Sequence, residues 1–331
     1  MIRVRAPSRL HFGLLSVTAP GALWPDRLSQ PTVPSRQFGG VGLMVESPGI
    51  HLSMRTAPAW SAEGPLAERA LAFARHFAEQ IQAEREGNFP PQHILIEQAA
   101  PEHAGLGTGT QLGLAVGRAL AEAWGVRLDV PTLARLVGRG RRSALGVHGF
   151  EHGGFLVEAG KRDPEALAPL VLQMPFPESW RIVLVIPSGL QGVSGKSEAE
   201  AFAHLSGAGN LQTDALCRLT LLGLVPALIE ADWRAFSEAL YDFNARAGEA
   251  FARVQGGVYS HAFVAEVVAF VRGQGIAGVG QSSWGPTVFA VTSDERQALA
   301  LAVRLRECFG LNEQQVLITR ACNRGAQLEP I

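Results

Sequence analysis

The sequence predicts an α+β protein with two lobes, and three observations lead to this fold class. Strand patterns dominate the first half of the 331-residue chain, whereas long helical patterns alternate with strands in the second half. Such segregation favours an α+β fold over a doubly wound parallel sheet. Prolines cluster in QMPFPESW, near the middle of the chain. We therefore expect one lobe at residues 1–175, another at residues 176–331, and a ligand cleft between them.

The elements of the first lobe are predicted in order along the chain. RVRAPSRLHFGLL predicts a strand, residues 16–37 a loop rich in Pro and Ser, and FGGVGLMVESPGIHLSMRT a β-hairpin. Apolar residues recur at helical spacing from Leu66 to Ile81 and predict a helix. HILIEQAAP predicts a strand, residues 111–124 a buried helix, and Asp129 the N-cap of a short helix.

Longer helices are predicted toward the end of the chain. GGFLVEAG and WRIVLVIP predict strands, and two long helices follow at residues 213–231 and 235–251, the second of which is capped by Asp232. A helix at residues 260–272 precedes AGVGQSSWGPTVFAVT, which predicts two strands joined by a glycine loop. Asp294 caps a further helix, and QVLITRA supplies the last predicted strand.

Composition excludes several classes of protein. Hydrophobic residues make up 47% of the chain and the formal net charge is −1, so disorder and a global field for nucleic acid or an anionic membrane are disfavoured. Cys217, Cys308 and Cys322 are odd in number and scattered, which argues against a disulfide framework or a zinc site. Arg9 and His11 interrupt the apolar run that a secretory signal needs. We expect a cytoplasmic protein.

The stretch PEHAGLGTGTQLGLAVGRAL indicates a phosphate-binding turn. Gly105, Gly107 and Gly109 permit close approach of the backbone to a ligand, and the start of a helix offers outward N–H groups and a partial positive charge. Thr108 and Thr110 add hydroxyls for phosphate or for Mg²⁺. No lysine follows the glycines, which excludes a P-loop. The alternative is that the glycines only allow tight packing between a strand and a helix.

Three motifs together resemble the GHMP kinase superfamily. APSRLHFG is similar to its first signature, PEHAGLGTGTQ to its second and GVGQSSWGPTVFAV to its third. With FGGVGL and RRSALGVHGFEHGGF, they resemble more closely the β-ribofuranosylaminobenzene 5′-phosphate synthases. This resemblance implies a two-lobed GHMP kinase-like fold, in which an N-terminal ribosomal protein S5-like lobe binds phosphate and the C-terminal lobe is ferredoxin-like. It also implies a homodimer.

The activity implied by the resemblance is a pentosyl transfer in tetrahydromethanopterin biosynthesis. Phosphoribosyl pyrophosphate would condense with 4-aminobenzoate or 4-hydroxybenzoate in the presence of Mg²⁺, releasing CO₂ and pyrophosphate. An ATP-dependent small-molecule kinase is the alternative, but His148 stands where many superfamily kinases carry an aspartate. A third possibility is a sensor that binds phosphoribosyl pyrophosphate without turnover.

The segment GRGRRSALGVHGFEHGG concentrates basic and acidic side chains beside the glycine motif. Its candidate residues are Arg139, Arg141, Arg142, His148, Glu151 and His152. We expect His148, Glu151 and Arg142 to act in catalysis and Arg141 to bind phosphate. Thr110 and Glu151 are the predicted Mg²⁺ ligands, because Mg²⁺ prefers oxygen donors. The alternative is a solvated loop.

Further candidates lie in the first and third motifs. The residues expected to bind substrate or phosphate are Ser8, Arg9, His11, Gly105, Gly107, Thr108, Gly109, Thr110, Gln111, Arg141, Gln281, Ser282, Ser283 and Trp284. Arg9 would pair with phosphate, the GQSSWGP amides would form a second anion nest, and Trp284 would either stack on the benzoate or fill the lobe interface. His11 faces the cleft or the core. Ser194 and Lys196 lie on a predicted lid or an ordinary surface connection.

Overall fold

Two β-sheets organise the described part of the chain, residues 1–16, 36–163, 165–192 and 210–330 of a computed structural model. The strands are β1 (Ile2–Leu14), β2 (Gly40–Thr56), β3 (Ser61–Glu63), β4 (Gln92–Gln98), β5 (Phe155–Glu158), β6 (Leu170–Met174), β7 (Arg181–Val185), β8 (Val279–Gln281), β9 (Val288–Thr292), β10 (Val316–Thr319) and β11 (Gln327–Pro330). The seven-stranded sheet has the order β11-β1-β2-β4-β3, with β5 paired to β2 and β6 paired to β5. The four-stranded sheet has the order β10-β7-β9-β8.

The helices confirm most of the predicted pattern. In the first half they are α1 (Ala67–Glu84), α2 (Thr108–Ala123), α3 (Val130–Leu136) and α4 (Leu145–His152). In the second half they are Asn210–Leu219, the π-helical turn Thr220–Leu224, Val225–Ile229, Trp233–Glu249, Ala252–Gln255, Ala262–Gly273 and Glu295–Phe309. Asp129, Asp232 and Asp294 each cap a helix through the side chain, as predicted. α4 and the strands β3, β6 and β11 have no counterpart in the sequence prediction.

The predicted hairpin in FGGVGLMVESPGIHLSMRT is wrong, because this stretch is the single strand β2. Both of its halves pair antiparallel with β1, which is long enough to offer partners to all of it. The register passes from Ser8 opposite Val45 to Ala6 opposite Ile50, so the intervening residues bulge instead of reversing the chain. The part of β2 that precedes the bulge also pairs with β5, and the part that follows the bulge also pairs with β4.

One apolar core joins the two sheets. α1 and α2 cover the first sheet with buried residues such as Phe77 and Leu120. The helix Trp233–Glu249 lies between the sheets, where Phe236 and Phe243 share a cluster with Phe12 of β1 and with Phe289 of β9. Ala262–Gly273 and Glu295–Phe309 pack on the second sheet. The lobes therefore share buried side chains and are not joined only by the chain.

The chain passes from the first sheet to the second between Met174 of β6 and Arg181 of β7. It does not stay in the second lobe, because β11 returns to pair with β1. The division at residue 175 remains a prediction. QVLITRA forms β10, but it is not the last strand.

One helical segment among the described residues, Gln212–Ile229, is long and apolar enough to cross a membrane by length and composition alone. It is 28% buried, and a single segment of this kind is weak evidence for a membrane span. The cysteines Cys217, Cys308 and Cys322 are free thiols.

Candidate active site

The glycine turn before α2 has the geometry of an anion-binding helix N-terminus. Gly105 and Gly107 have φ angles of 84° and 71°, a conformation that favours glycine. No side chain caps α2. Within the described residues, the N–H groups of Gly107, Thr108 and Gly109 donate to no protein acceptor. The Thr108 hydroxyl donates to the Pro101 carbonyl at 2.8 Å. The helix therefore starts with donors that an anion can use.

These donors face a cavity of about 500 Å³ between the lobes. From the first lobe, the end of β1, the glycine turn and residues 139–143 line it. From the second lobe come the end of the helix Trp233–Glu249 and the loop at residues 281–285. We call residues 139–143 the arginine segment. The predicted cleft between the lobes is thus present.

The cavity wall is strongly basic. The arginines that line it are Arg9, Arg69, Arg139, Arg141 and Arg142, and none of its described lining residues is Asp or Glu. Arg69 lies directly over Gly109, where a Cβ atom would overlap Nη2. Burial, together with the charges of Arg69 and Arg141, lowers the pKa of Arg139 to about 10. Bound negative charge would relieve this mutual repulsion.

Arg9 and His11 both reach the cavity from β1. The Arg9 N–H donates to the Leu106 carbonyl at 2.9 Å, and a Cβ atom on Gly107 would lie 3.2 Å from Nε of Arg9. The Arg9 side chain therefore crosses the glycine turn. Burial, followed by the nearby Arg9 charge, lowers the pKa of His11 well below its usual value. His11 is consequently neutral at neutral pH.

Three predicted binding residues are buried in the walls and do not line the cavity. Ser8 donates its hydroxyl to the Pro48 carbonyl. Gln111 donates from Nε2 to the Gly146 carbonyl at 2.7 Å, which ties α2 to α4. Ser282 accepts the His11 N–H at 3.0 Å and donates to the Gly105 carbonyl at 2.7 Å. Each side chain already has protein partners, so their predicted binding roles are not supported.

The loop predicted to form a second anion nest does not offer free N–H groups at Ser282 and Ser283, because both donate to protein carbonyls. The N–H groups of Ser282 and Ser283 donate to the carbonyls of Thr287 and His11, at 2.9 and 3.0 Å. The Gln281 side chain accepts from Ser260 and donates to the Ser283 carbonyl. This loop therefore joins the lobes, although Gln281, Ser283 and Trp284 still line the cavity.

Trp284 belongs both to the cavity wall and to the lobe interface. It is 6% exposed and packs edge-to-face on Phe251, with ring centroids 4.7 Å apart. Both rings line the cavity. On the side contributed by the second lobe, these two rings provide aromatic surface.

His148 and Glu151, predicted as catalytic, do not line the cavity. Nε2 of His148 lies 2.8 Å from the Ala168 carbonyl oxygen, and burial lowers the pKa of this histidine. The Glu151 carboxylate is 44% exposed and lies 3.6 Å from Nε2 of His152. These two residues lie away from the cavity because they belong to α4, which begins at Leu145. The arginines precede this helix and line the cavity, whereas residues farther along the helix do not. His148 and Glu151 have no place in the proposed site.

Comparison with known proteins identifies the family. The family described as GHMP kinases N terminal domain matches residues 68–155, and GHMP kinases C terminal matches residues 224–311. A β-ribofuranosylphenol 5′-phosphate synthase of Archaeoglobus fulgidus is 31% identical, over 99% of this chain and 100% of that protein. The chain belongs to this synthase family. A β-ribofuranosylphenol 5′-phosphate synthase of Methanothermobacter thermautotrophicus is 29% identical to this chain, over 98% of this chain and 97% of that protein.

Solved structures agree with the fold of this synthase family. The phosphomevalonate kinase of Streptococcus pneumoniae has a TM-score of 0.67 at 13% identity, covering 97% of this chain and 99% of that one. At this identity the similarity shows the fold alone, which is the two-lobed α+β fold of the GHMP kinases.

The described residues of this synthase family member do not fit a protein-held Mg²⁺ ion. Of the two predicted ligands, Thr110 lines the cavity and Glu151 does not. Among the described residues, no three His, Cys, Asp or Glu side chains are grouped in a way that would hold a metal. Hydroxyls and carbonyls alone are a weak ligand set for Mg²⁺, which is usually bound through carboxylates and substrate phosphates.

Sequence reasoning missed several residues of this site, among them Arg69, Phe251 and Asn244. Arg69 lies on α1, and no motif marks it, because only the fold brings it over the glycine turn. Asn244 donates to the carbonyls of Phe12 and Gln281, at 2.6 and 2.9 Å. An amide on the apolar face of a helix was the signal for Asn244. The predicted lid, with Ser194 and Lys196, lies outside the described residues.

Proposed function

We propose that the chain transfers the phosphoribosyl group of phosphoribosyl pyrophosphate to a 4-substituted benzoate, with loss of CO₂ and pyrophosphate. The observation that supports this function most directly is the cavity wall, where five arginines meet an uncapped helix N-terminus. No carboxylate is among the described lining residues, although Arg69 pairs with Glu102 outside the wall. A substrate with a diphosphate, a phosphate and a partner with a carboxylate matches that charge. Membership of the synthase family supports the same chemistry.

In the proposed reaction, the cavity stabilises the charge that develops on the leaving diphosphate. The bond between ribose C1 and the diphosphate oxygen breaks, and both electrons leave with pyrophosphate. The N–H groups of residues 107–109 and the guanidinium groups are already in place for that charge. The ring carbon that bears the carboxylate forms the new bond to C1. The carboxylate then leaves as CO₂, and its bonding electrons restore the aromatic ring.

We propose 4-hydroxybenzoate as the acceptor, because the matched relatives are named for a phenol product. 4-Aminobenzoate is the alternative acceptor. Phe251 and Trp284 offer aromatic surface for the ring. We propose that Mg²⁺ enters with the diphosphate, since the described cavity wall offers no carboxylate to hold it. The ion would then add positive charge at the phosphate oxygens.

A carboxyl-labelled benzoate assay tests the proposal. Purified protein is incubated with phosphoribosyl pyrophosphate, Mg²⁺ and carboxyl-labelled 4-hydroxybenzoate or 4-aminobenzoate, and both labelled CO₂ and pyrophosphate are measured. We expect equal amounts of both products, and none when phosphoribosyl pyrophosphate is omitted. Absence of both products with either benzoate would overturn the proposal.

The same assay design separates the alternatives. A kinase would form ADP from ATP and a sugar or alcohol acceptor, so ATP arms are run in parallel. The similarity to GHMP kinases reaches only the fold and the superfamily. A sensor would bind phosphoribosyl pyrophosphate in a calorimeter and release no CO₂.

A further inference from the structure

A buried carboxylate holds one end of the arginine segment. Glu158, the last residue of β5, has no exposed surface and does not line the cavity. Its Oε2 atom accepts the Ala144 N–H at 2.6 Å. This bond fixes the backbone where the arginine segment ends and α4 begins.

A buried lysine holds the middle of the same segment. Lys161 follows β5 and is 4% exposed. Its Nζ atom donates to the Gly140 carbonyl at 3.1 Å and also to the Arg141 carbonyl. The lysine therefore fixes the backbone at the point from which Arg141 extends toward the cavity.

Lys161 depends electrostatically on Glu158. Burial lowers the pKa of Lys161, and the Glu158 charge is the first influence that raises it again. Burial raises the pKa of Glu158 to about 7, opposed by the bonds from Ser143 and Ala144 and by the charge of Arg9. Removing Glu158 would therefore leave the Lys161 charge buried with less compensation, which is costly.

We propose that Glu158 and Lys161 are positioning residues for the anion site, holding the arginine segment so that its guanidinium groups face the cavity. The inference rests on the proposed function, which identifies the anion as diphosphate. Neither side chain lines the cavity, so both act through the arginines. The arginine segment is thus held by two buried side chains, each of which bonds its backbone or the residue that follows it.

Two single variants distinguish positioning from a simple effect of charge. At pH 8, above the pKa of about 7 that burial gives this carboxyl, Glu158→Gln removes a negative charge near the arginines, so electrostatics alone would tighten binding of an anion. Lys161→Met removes a positive charge, so electrostatics alone would weaken it. Positioning predicts that both variants weaken binding, by about tenfold each, because charged hydrogen bonds of this kind are lost. The double variant is expected to bind as weakly as the weaker single variant, since either change releases the segment.

Calorimetric titration with inorganic pyrophosphate measures this binding in the full-length protein. The matched control is Glu151→Gln, an exposed carboxylate on α4 outside the cavity, which should bind like the unchanged protein. In steady-state assays, KM for phosphoribosyl pyrophosphate should rise about tenfold in both variants, while KM for the benzoate stays within about twofold. A purely structural defect would change both constants or lower the active fraction.

Tighter pyrophosphate binding by Glu158→Gln, or losses that simply add in the double variant, would overturn the inference. If circular dichroism shows that Glu158→Gln is unfolded, Glu158→Asp replaces it: the charge is kept, but the shorter side chain draws the carboxylate away from the Ala144 N–H, so binding should weaken about threefold. Unchanged binding by Glu158→Asp would then overturn the inference. Pyrophosphate binding needs no turnover. If the protein without substitutions binds pyrophosphate but releases no CO₂, the proposed function is refuted. The positioning test, which measures binding alone, is unaffected.

Discussion

Among single residues, Arg141 is exposed, whereas the other arginines of the cavity wall are half-buried. Its removal therefore changes the site with little effect on the core. We expect Arg141→Ala to raise KM for phosphoribosyl pyrophosphate about tenfold or more, because a charge-assisted hydrogen bond contributes about 1.5–3 kcal/mol. Arg135→Ala is the control, since Arg135 pairs with Glu84 at 2.7 Å away from the cavity. Equal KM values in the two variants would contradict the assignment.

His11 makes the stability of the protein depend on pH. Its pKa in the folded protein is lowered well below the usual value of 6.5, so below pH 6.5 the unfolded chain binds a proton that the folded chain does not. The free energy of unfolding should therefore fall as pH decreases below 6.5, by up to about 1.4 kcal/mol per pH unit from this residue. Urea denaturation of His11→Gln between pH 7.5 and 5.5 should show a shallower loss. An unchanged slope would contradict this account.

Sequence could predict site residues only where a motif carries them. The glycine turn and Arg9 lie in short contiguous motifs, and the structure brings them to one cavity. His148 and Glu151 lie in such a motif too, but the helix that starts at Leu145 turns them away from the cavity. Arg69 reaches the cavity through packing between helices, and no local pattern encodes that contact.

Among the structural elements, the glycine turn brings its backbone close to the opposite lobe. Gly105 has a φ of 84°, and a Cβ atom there would overlap the Ser282 carbonyl oxygen. Gly125 is a matched control, with a φ of 66° and no neighbouring atom within 4 Å. We expect Gly105→Ala to lower the free energy of unfolding by about 2 kcal/mol more than Gly125→Ala, because only the former clashes. Chemical denaturation measures both, and equal losses would contradict the contact.

Elements with a regular apolar periodicity could be predicted from the sequence, whereas a β-bulge and very short strands could not. The helical spacing in α1 and the capping aspartates were sufficient to place those helices. The β-bulge in β2 resembles a turn in sequence, because Pro and Gly occur in both, and only the length of β1 shows that the strand continues. β3 and β11 are too short to carry a pattern of their own.

At the level of the whole molecule, Ser282 links the lobes through one hydroxyl. It bonds the His11 N–H of the first lobe and the Gly105 carbonyl, and it has no exposed surface. We expect Ser282→Ala to lower the free energy of unfolding by about 1–3 kcal/mol, since two buried backbone groups lose a partner. Ser61→Ala, at an exposed serine that bonds His93, should change it by less than about 0.5 kcal/mol. Similar values in a urea titration would contradict the bridging role.

The shared core predicts a single cooperative unfolding transition for both lobes, because Phe12 and Phe289 belong to one cluster. Calorimetry, together with a spectroscopic probe in each lobe, checks this prediction. Two resolved unfolding transitions would contradict it. The homodimer implied by the family resemblance stays a prediction. Sedimentation velocity distinguishes it from a monomer of 35.3 kDa.

The return of β11 to the first sheet has a practical consequence for dissecting the protein. A fragment that stops at the proline cluster would leave the outer backbone edge of β1 without its neighbour from Gln327–Pro330. Open edges of this kind recruit foreign strands. Separate production of the halves would therefore yield material prone to self-association, whereas joint expression of both pieces supplies the missing strand in trans.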